Sequence, residues 1–237
     1  RVATKATRSG NGFRLDGQKS FVLHGHVADL LIVSAQTDEG LTLFAVPREG
    51  KGVSADPRLL ADSSLASHVR FDGAALDADA VIGDVGGGQA VLDALLAATR
   101  VGASAELLGV GQGAMDMTMT YLKERKQFGR LIGEFQALQH RAAHLYSELE
   151  VARAAVIKAQ QLLDDGQQAA ELYVSVAKAK AGRAANLAVR EGVQMHGGIG
   201  MTDEFDIGLF MKRDRALAEY MGDIYYHTDR VARLNGY

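Results

Sequence analysis

Several residue groups in the 237-residue sequence have types and spacings that chemistry can use. Gly197-Gly198-Ile199-Gly200 follows "EGVQMH". Glycines at a helix end let backbone N–H groups face a phosphate or a carbonyl. Spacing alone favours a plainer reading, a helix terminus with a left-handed cap, and it matches neither a dinucleotide fingerprint nor a P-loop. "RKQFGR", Arg125 to Arg130, sets three cations around an aromatic ring and a glycine. The guanidinium fork suits pyrophosphate, and the same cations also suit a solvated helix C-terminus. His140 and His144 stand four apart, a metal-ligand spacing, but Arg141 follows where a HExxH helix needs glutamate, and no metal is expected. His24 and His26 would share a strand face, with the same expectation. Carboxylates pair at Asp164/Asp165 and Asp203/Glu204, read as turn and cap residues, and at Glu219 and Asp223, on either side of Gly222. No Gly-x-Ser-x-Gly elbow is present.

Composition removes whole classes of function. There is no cysteine, so thiolate catalysis, disulfides and cysteine metal sites are out. A formal charge of −3 argues against nucleic acid. No apolar run reaches the ~20 residues a membrane span needs. Absent targeting signals point to the cytoplasm. The first residue is Arg1, so the chain is expected to be a piece of a longer protein.

The elements that position these groups fall into two halves. Both prolines, Pro47 and Pro57, lie in the first quarter. There, "GFRLDGQKSFVLHG" with a turn at Asp16-Gly17, "ADLLIVSAQ", "LTLFAVP" and "HVRFDGAAL" read as strands of an antiparallel sheet or barrel, with "TDEG" as another turn. Gly86-Gly87-Gly88 marks a change of period. Phe135, Leu138, Ala142, Leu145, Leu149, Ala152, Val156, Ala159 and Leu163 alternate spacings of three and four, the seam of a long helix, which stops at Asp164-Asp165-Gly166. Ala169, Leu172, Val176 and Ala179 open the next helix. An earlier one, roughly 89–122, carries Gly102, Gly109, Gly111 and Gly113, which suggests close helix approach. A shorter helical stretch runs from about 203 to 234. The fold class is α+β: an antiparallel, barrel-like β-domain over 1–84, followed by an antiparallel bundle of long helices over 85–237.

Taken together, "DGQKSFVLHGHVADLLIVSA", "ERKQFGRLIGEFQALQH" and "VQMHGGIGMTDEFDIGLFMKRDRA" resemble the acyl-CoA dehydrogenases, in the family's order and at about its spacing. The resemblance covers most of the family's middle β-domain and its C-terminal helical domain; the N-terminal helical domain is absent. It implies non-covalent FAD, α,β-dehydrogenation of an acyl-CoA thioester, electrons passed to an electron-transfer flavoprotein, and a dimer or tetramer with FAD at the subunit interface. It places Phe21, Val22 and Leu23 beside the flavin ring. It places Arg125, Gln127, Phe128 and Gln136, with Gln194, Met195, His196, Gly197 and Gly198, on the FAD of a neighbouring subunit, Arg125 at the pyrophosphate. Arg100 matches the arginine of the first bundle helix near the active site.

The departures from the family pattern concern the chemistry. The usual glutamate base, counted from Arg213-Asp214, falls on Gly222 in "EYMGDIYY"; its alternative site, just before the first-helix arginine, is Thr99. Leu23 replaces the threonine whose hydroxyl meets flavin N5, leaving only a backbone N–H. Three arrangements follow: Asp223, one residue on, acts as base; the chain lacks a base and pairs with a related catalytic subunit in a heteromer, an arrangement known for bulky substrates such as steroid side-chain thioesters; or the chain binds flavin or acyl-CoA without catalysis.

Overall fold

The computed structural model describes residues 2–237. The chain divides into two compact units, one ending at Leu95 and the other running from Leu96 to Tyr237.

The first unit is a seven-stranded sheet. Its strands are β1 (Lys5–Ser9), β2 (Gly12–Leu23), β3 (Leu30–Thr37), β4 (Gly40–Pro47), β5 (Val53–Leu59), β6 (Leu65–Leu76) and β7 (Val81–Ile82), in the order β5-β6-β2-β1-β3-β4-β7. Every pairing is antiparallel except the junction of β1 with β3 at Lys5 and Gln36, so the sheet is mixed. Period-2 alternation places Phe13 and Leu15, Val33 and Ala35, Phe44 and Val46, and Val69 and Phe71 in one core. Phe13 meets Phe44 edge-on at 5.1 Å between centroids.

Asp16-Gly17 is not a turn. It lies inside β2 at a register shift against β6, with Gly17 at φ 140. The Asp16 carboxylate accepts from the Gly73 N–H at 2.8 Å and from Arg14 at 3.1 Å, which holds its pKa below the ordinary aspartate value. The dipeptide therefore makes a bulge, and the β1–β2 hairpin turns at Gly10-Asn11 instead.

The helices are α1 (Gly88–Glu124), α2 (Gln136–Asp164), α3 (Ala170–His196), α4 (Ile207–Glu219) and α5 (Ile224–Leu234). No proline follows Pro57, so nothing interrupts α1, whose 37 residues span about 55 Å. A two-stranded hairpin, β8 (Lys126–Gln127) and β9 (Arg130–Leu131), lies between α1 and α2. The α2 seam buries Ala142, Leu145, Leu149, Ala152, Val156 and Ala159 as the spacing requires; in the last turn Leu162 is buried in place of Leu163. Of the expected α3 seam Ala179 is buried, Leu172 and Val176 are half-buried, and Ala169 lies exposed before the helix; the buried face is wider and centred elsewhere. Val174, Ser175, Ala177, Lys178, Ala181 and Ala185 are buried, because α3 packs on α2, α4 and α5 at once and needs a wide inner face. Gly111 meets the close-approach expectation: a Cβ there would lie 2.8 Å from Leu149 Cδ2 and 3.2 Å from Ala185 Cα. Gly102 and Gly109 have nothing within 4 Å of that position and serve no such contact.

The expected single stretch from 203 to 234 is two helices. Met221 at φ 61 and Gly222 at φ 106 break the helical path between α4 and α5, and Asp223 then starts α5. No described helix is long and apolar enough to cross a membrane.

Candidate active site

The α4–α5 connection, residues 220–223, holds Gly222 and Asp223, the two positions at which the resemblance raised the question of a base. Asp223 is the N-cap of α5. Its Oδ1 accepts from the Tyr226 N–H at 2.7 Å, satisfying one of the free donors of the first turn. The residue expected to act as a base thus has its carboxylate turned onto its own helix. Gly222 has no space for a side chain: a Cβ would come within 2.5 Å of Tyr226 Cδ1 and 2.9 Å of His227 Nε2.

Three side chains from three helices hold the carbonyls of this connection. Lys178 on α3, 1% exposed, donates to Leu217 O at 3.2 Å, Ala218 O at 3.3 Å and Gly222 O at 3.0 Å. Burial lowers its pKa to about 8, against the opposing pull of Asp223, Asp214 and Glu219. His227 on α5 donates from Nε2 to Met221 O at 3.0 Å, which fixes the tautomer and leaves buried Nδ1 without a partner. Burial pushes its pKa down to about 4; the bond to Met221 O opposes this, and the nearby Arg100, Lys178 and Arg230 reinforce it. Arg100 on α1 donates to Met221 O at 3.4 Å and to the Tyr226 hydroxyl at 3.3 Å, with its guanidinium 5.8 Å from the Tyr226 ring centroid. Arg100 thus lies beside this connection. Thr99 precedes it on α1 and is half-buried. Buried Asp214 accepts from Asn186 Nδ2 at 3.2 Å, and burial raises its pKa.

The glycine cluster differs in kind. α3 ends at His196, and Gly197–Met201 forms a 3₁₀ turn, with Gly197 at φ 67 as a left-handed stop. Gly197 and Gly198 are exposed, and nothing lies within 4 Å of a Cβ at either. Gln194 is exposed beside them. Met195 and His196 are buried. The His196 ring stacks on Tyr121 at 4.4 Å, lies 4.7 Å from Phe205, and donates from Nδ1 to Gly192 O at 2.7 Å. Burial lowers its pKa, opposed by the bond to Gly192 O, and the ring anchors the turn.

Arg125 and Gln127 are exposed on the β8–β9 hairpin, as is Gln136 at the start of α2. Phe128 stands at the hairpin tip in a left-handed conformation, φ 54, and is 90% exposed. Its only ring neighbour among the described residues is Phe135 at 6.1 Å, over which Arg130 sits at 4.1 Å. His140 and His144 are exposed on α2, where His144 Nε2 lies 3.9 Å from Glu148.

In the first unit, Phe21 is at φ 55 and 64% exposed, beside a register shift between Lys19 and Val22. A non-glycine residue held there stores strain, which collects at functional positions. The ring lies 5.4 Å from that of His68, and His68 Nδ1 is 3.2 Å from Ser20 Oγ. Val22 and Leu23 are half-buried, and His24, at φ 55, begins the turn that follows.

Each unit by itself offers groups of the kind that a flavin dinucleotide uses. The first unit offers an exposed aromatic ring at a strained strand end. The helical unit offers an exposed arginine and two glycines whose backbone a phosphate can approach.

Sequence reasoning missed Lys178, Tyr226 and His227. The available signal was positional: Lys178 stands three and four residues from Ser175, Val174, Ala181 and Gly182, on the apolar side of its helix.

The family models for the acyl-CoA dehydrogenase middle domain and C-terminal domain match residues 1–73 and 86–234. Cyclohex-1-ene-1-carbonyl-CoA dehydrogenase from Geobacter metallireducens is 32% identical over 98% of this chain, which spans 62% of that protein's length. The ChsE4-ChsE5 complex of Mycobacterium tuberculosis superposes on the whole chain with a TM-score of 0.92 at 27% identity, and the chain covers 64% of the matched subunit. Butyryl-CoA dehydrogenase from Megasphaera elsdenii gives 0.93 at 26% identity, covering 99% of this chain and 63% of its own. The family's members are FAD flavoproteins. On the two domain matches and this likeness, the chain belongs to the acyl-CoA dehydrogenase family.

Proposed function

We propose that this chain is a subunit of an FAD-dependent dehydrogenase acting on the Cα–Cβ bond of an acyl-CoA thioester, and that the carboxylate base comes from a second, related chain. In that reaction a carboxylate takes the α-proton, the β-hydride leaves, and the product is the enoyl thioester. FAD, when bound, is the hydride acceptor, and its two electrons pass on to an electron-transfer flavoprotein. Phe21, with the backbone of Val22 and Leu23, would flank the flavin ring. Arg125, Gln127, Phe128 and Gln136, with Gln194, Gly197 and Gly198, would complete the FAD site of a neighbouring subunit, Arg125 pairing with the pyrophosphate through its fork of donors.

The observation that carries the heteromeric form is the closed connection at 220–223. At Gly222, where the count from Arg213-Asp214 puts the base, a Cβ-sized space is already filled, and Asp223 caps α5 through Oδ1. An aspartate at 223 also reaches less far than a glutamate at 222. Likeness to a complex of two differently named chains, ChsE4 and ChsE5, supports the same arrangement.

The test is a visible spectrum of the full-length product purified from its own cells, under anaerobic acyl-CoA titration. The expected result is a second, related chain in the preparation and a flavin band that bleaches only in that assembly. A homomer that bleaches fully, and stops doing so in Asp223→Asn, would overturn the reading in favour of Asp223 as base. A flavin band that no thioester bleaches in any assembly would leave only a binding role.

A further inference from the structure

Lys178 is a buried ammonium with all three N–H donors engaged, and its acceptors are not scattered. Leu217 and Ala218 contribute carbonyls of the last turn of α4, where the helix dipole favours a cation. Gly222 contributes the carbonyl beyond the break. One side chain therefore ties the end of α4 to the far side of a segment whose two central residues are both left-handed. Met221 is not a glycine, and a left-handed methionine persists only where its surroundings enforce it. His227 and Arg100 hold Met221 O, but each reaches one carbonyl of the segment, and Arg100 does so at 3.4 Å. Among the described side chains Lys178 is the one that bridges both ends; the backbone adds the Gly222 N–H donating to Glu219 O at 3.3 Å.

We propose that Lys178 is the latch of the 220–223 segment, the positioning residue that holds Met221 and Gly222 in the conformation that excludes a side chain at 222. The latch stands on the geometry of the helical unit. Its consequence, that a carboxylate placed at 222 cannot reach a substrate while the latch is closed, rests on the dehydrogenase reading above. The charged and titratable groups around Lys178 are Asp214 and Glu219 of α4, and Asp223 and His227 at and within α5.

The test is a double-mutant cycle on the full chain, read by denaturant unfolding. Gly222→Ala alone is expected to lower the folding equilibrium constant on the order of 100-fold, from positive-φ strain and the filled Cβ space. In the Lys178→Met background the same substitution should cost less than about tenfold, because the released segment can move away from Tyr226. Amide exchange at residues 221–224 should quicken at least about tenfold in Lys178→Met, while α2 keeps its protection. In the unmutated chain, the Lys178 Nζ and Gly222 carbonyl NMR shifts should titrate together, a coupling that a lysine merely filling space would not produce. If Lys178→Met does not fold, Lys178→Gln, which keeps two donors, replaces it, with a smaller coupling of the same sign. Additive costs with unchanged exchange at 221–224 would overturn the latch. None of these readouts uses flavin or thioester, so the latch and the dehydrogenase reading can fail separately.

Discussion

Two glycine-bearing turns of the helical unit look alike in sequence and differ in what surrounds them. At 197–198 the chain turns at a left-handed glycine, and the space a Cβ would take is empty out to 4 Å at both residues. At 222 the chain also turns at a left-handed glycine, but two rings already occupy that space, and Lys178, His227 and Arg100 hold the carbonyls. The first glycines leave backbone open to something outside the fold; the second serves the fold itself. On the proposed reading, which counts the base position onto Gly222, this contrast fits a chain that contacts cofactor and takes its base from a partner.

The largest expected effect comes from forcing the closed turn. Gly222→Glu should destabilise the chain by several kcal/mol, roughly 3, from positive-φ strain plus overpacking against Tyr226 and His227, and should not create turnover. Denaturant midpoints and a dehydrogenation assay check both halves. A stable, active Gly222→Glu chain would dissolve the contrast.

Next is acid sensitivity. His227 has a pKa of about 4 in the fold against 6.5 unfolded, so the neutral ring favours folding. That stability is fully present above pH 6.5 and is lost as pH falls toward 4, a loss on the order of 3 kcal/mol. Unfolding curves between pH 7 and 4 should show it, and His227→Gln should flatten the dependence. Lys178 runs on the alkaline side. Its pKa of about 8 lies below the usual 10.5, so stability from this group rises as pH climbs from 8 toward 10.5, and Lys178→Met should lack that rise.

How much of this was legible in the sequence depends on how local the cause was. The α2 seam was readable because a three-four spacing holds from Leu138 to Ala159 with one buried side. The α3 seam was misplaced because burial there is set by three neighbouring helices, which no period within α3 encodes. Asp16-Gly17 suggested a turn by composition, but pairing with β6 made it a bulge. The β1–β3 parallel junction joins strands distant in sequence, and nothing local announces it. At the candidate site, Arg100, Arg125 and the open glycines are singled out by their neighbours in sequence. The burial of His196 against Tyr121 and the reach of Lys178 from α3 depend on packing against residues far along the chain, whereas the capping of α5 by Asp223 is local, three residues from its partner.

A smaller effect separates capping from catalysis. Asp223→Ala should cost about 1 kcal/mol, while Asp223→Asn, an equally good N-cap, should cost close to nothing. Thermal unfolding of the two variants side by side checks this. The smallest stability effect is expected at the open turn. Gly198→Ala should stay within about 0.5 kcal/mol of the parent, because the added methyl meets nothing, while FAD affinity falls. Fluorescence titration of FAD against the full assembly tests it; an unchanged affinity would remove the open turn from the cofactor site.

The most direct measurement is the rate of flavin reduction by acyl-CoA under anaerobic conditions, in the complete assembly carrying Asp223→Asn in this chain. An unchanged rate is the expected result, since the proposed base lies in the partner chain. A rate lowered by the ~10²–10⁴ typical of removing a general base would place proton abstraction on Asp223 and contradict the account.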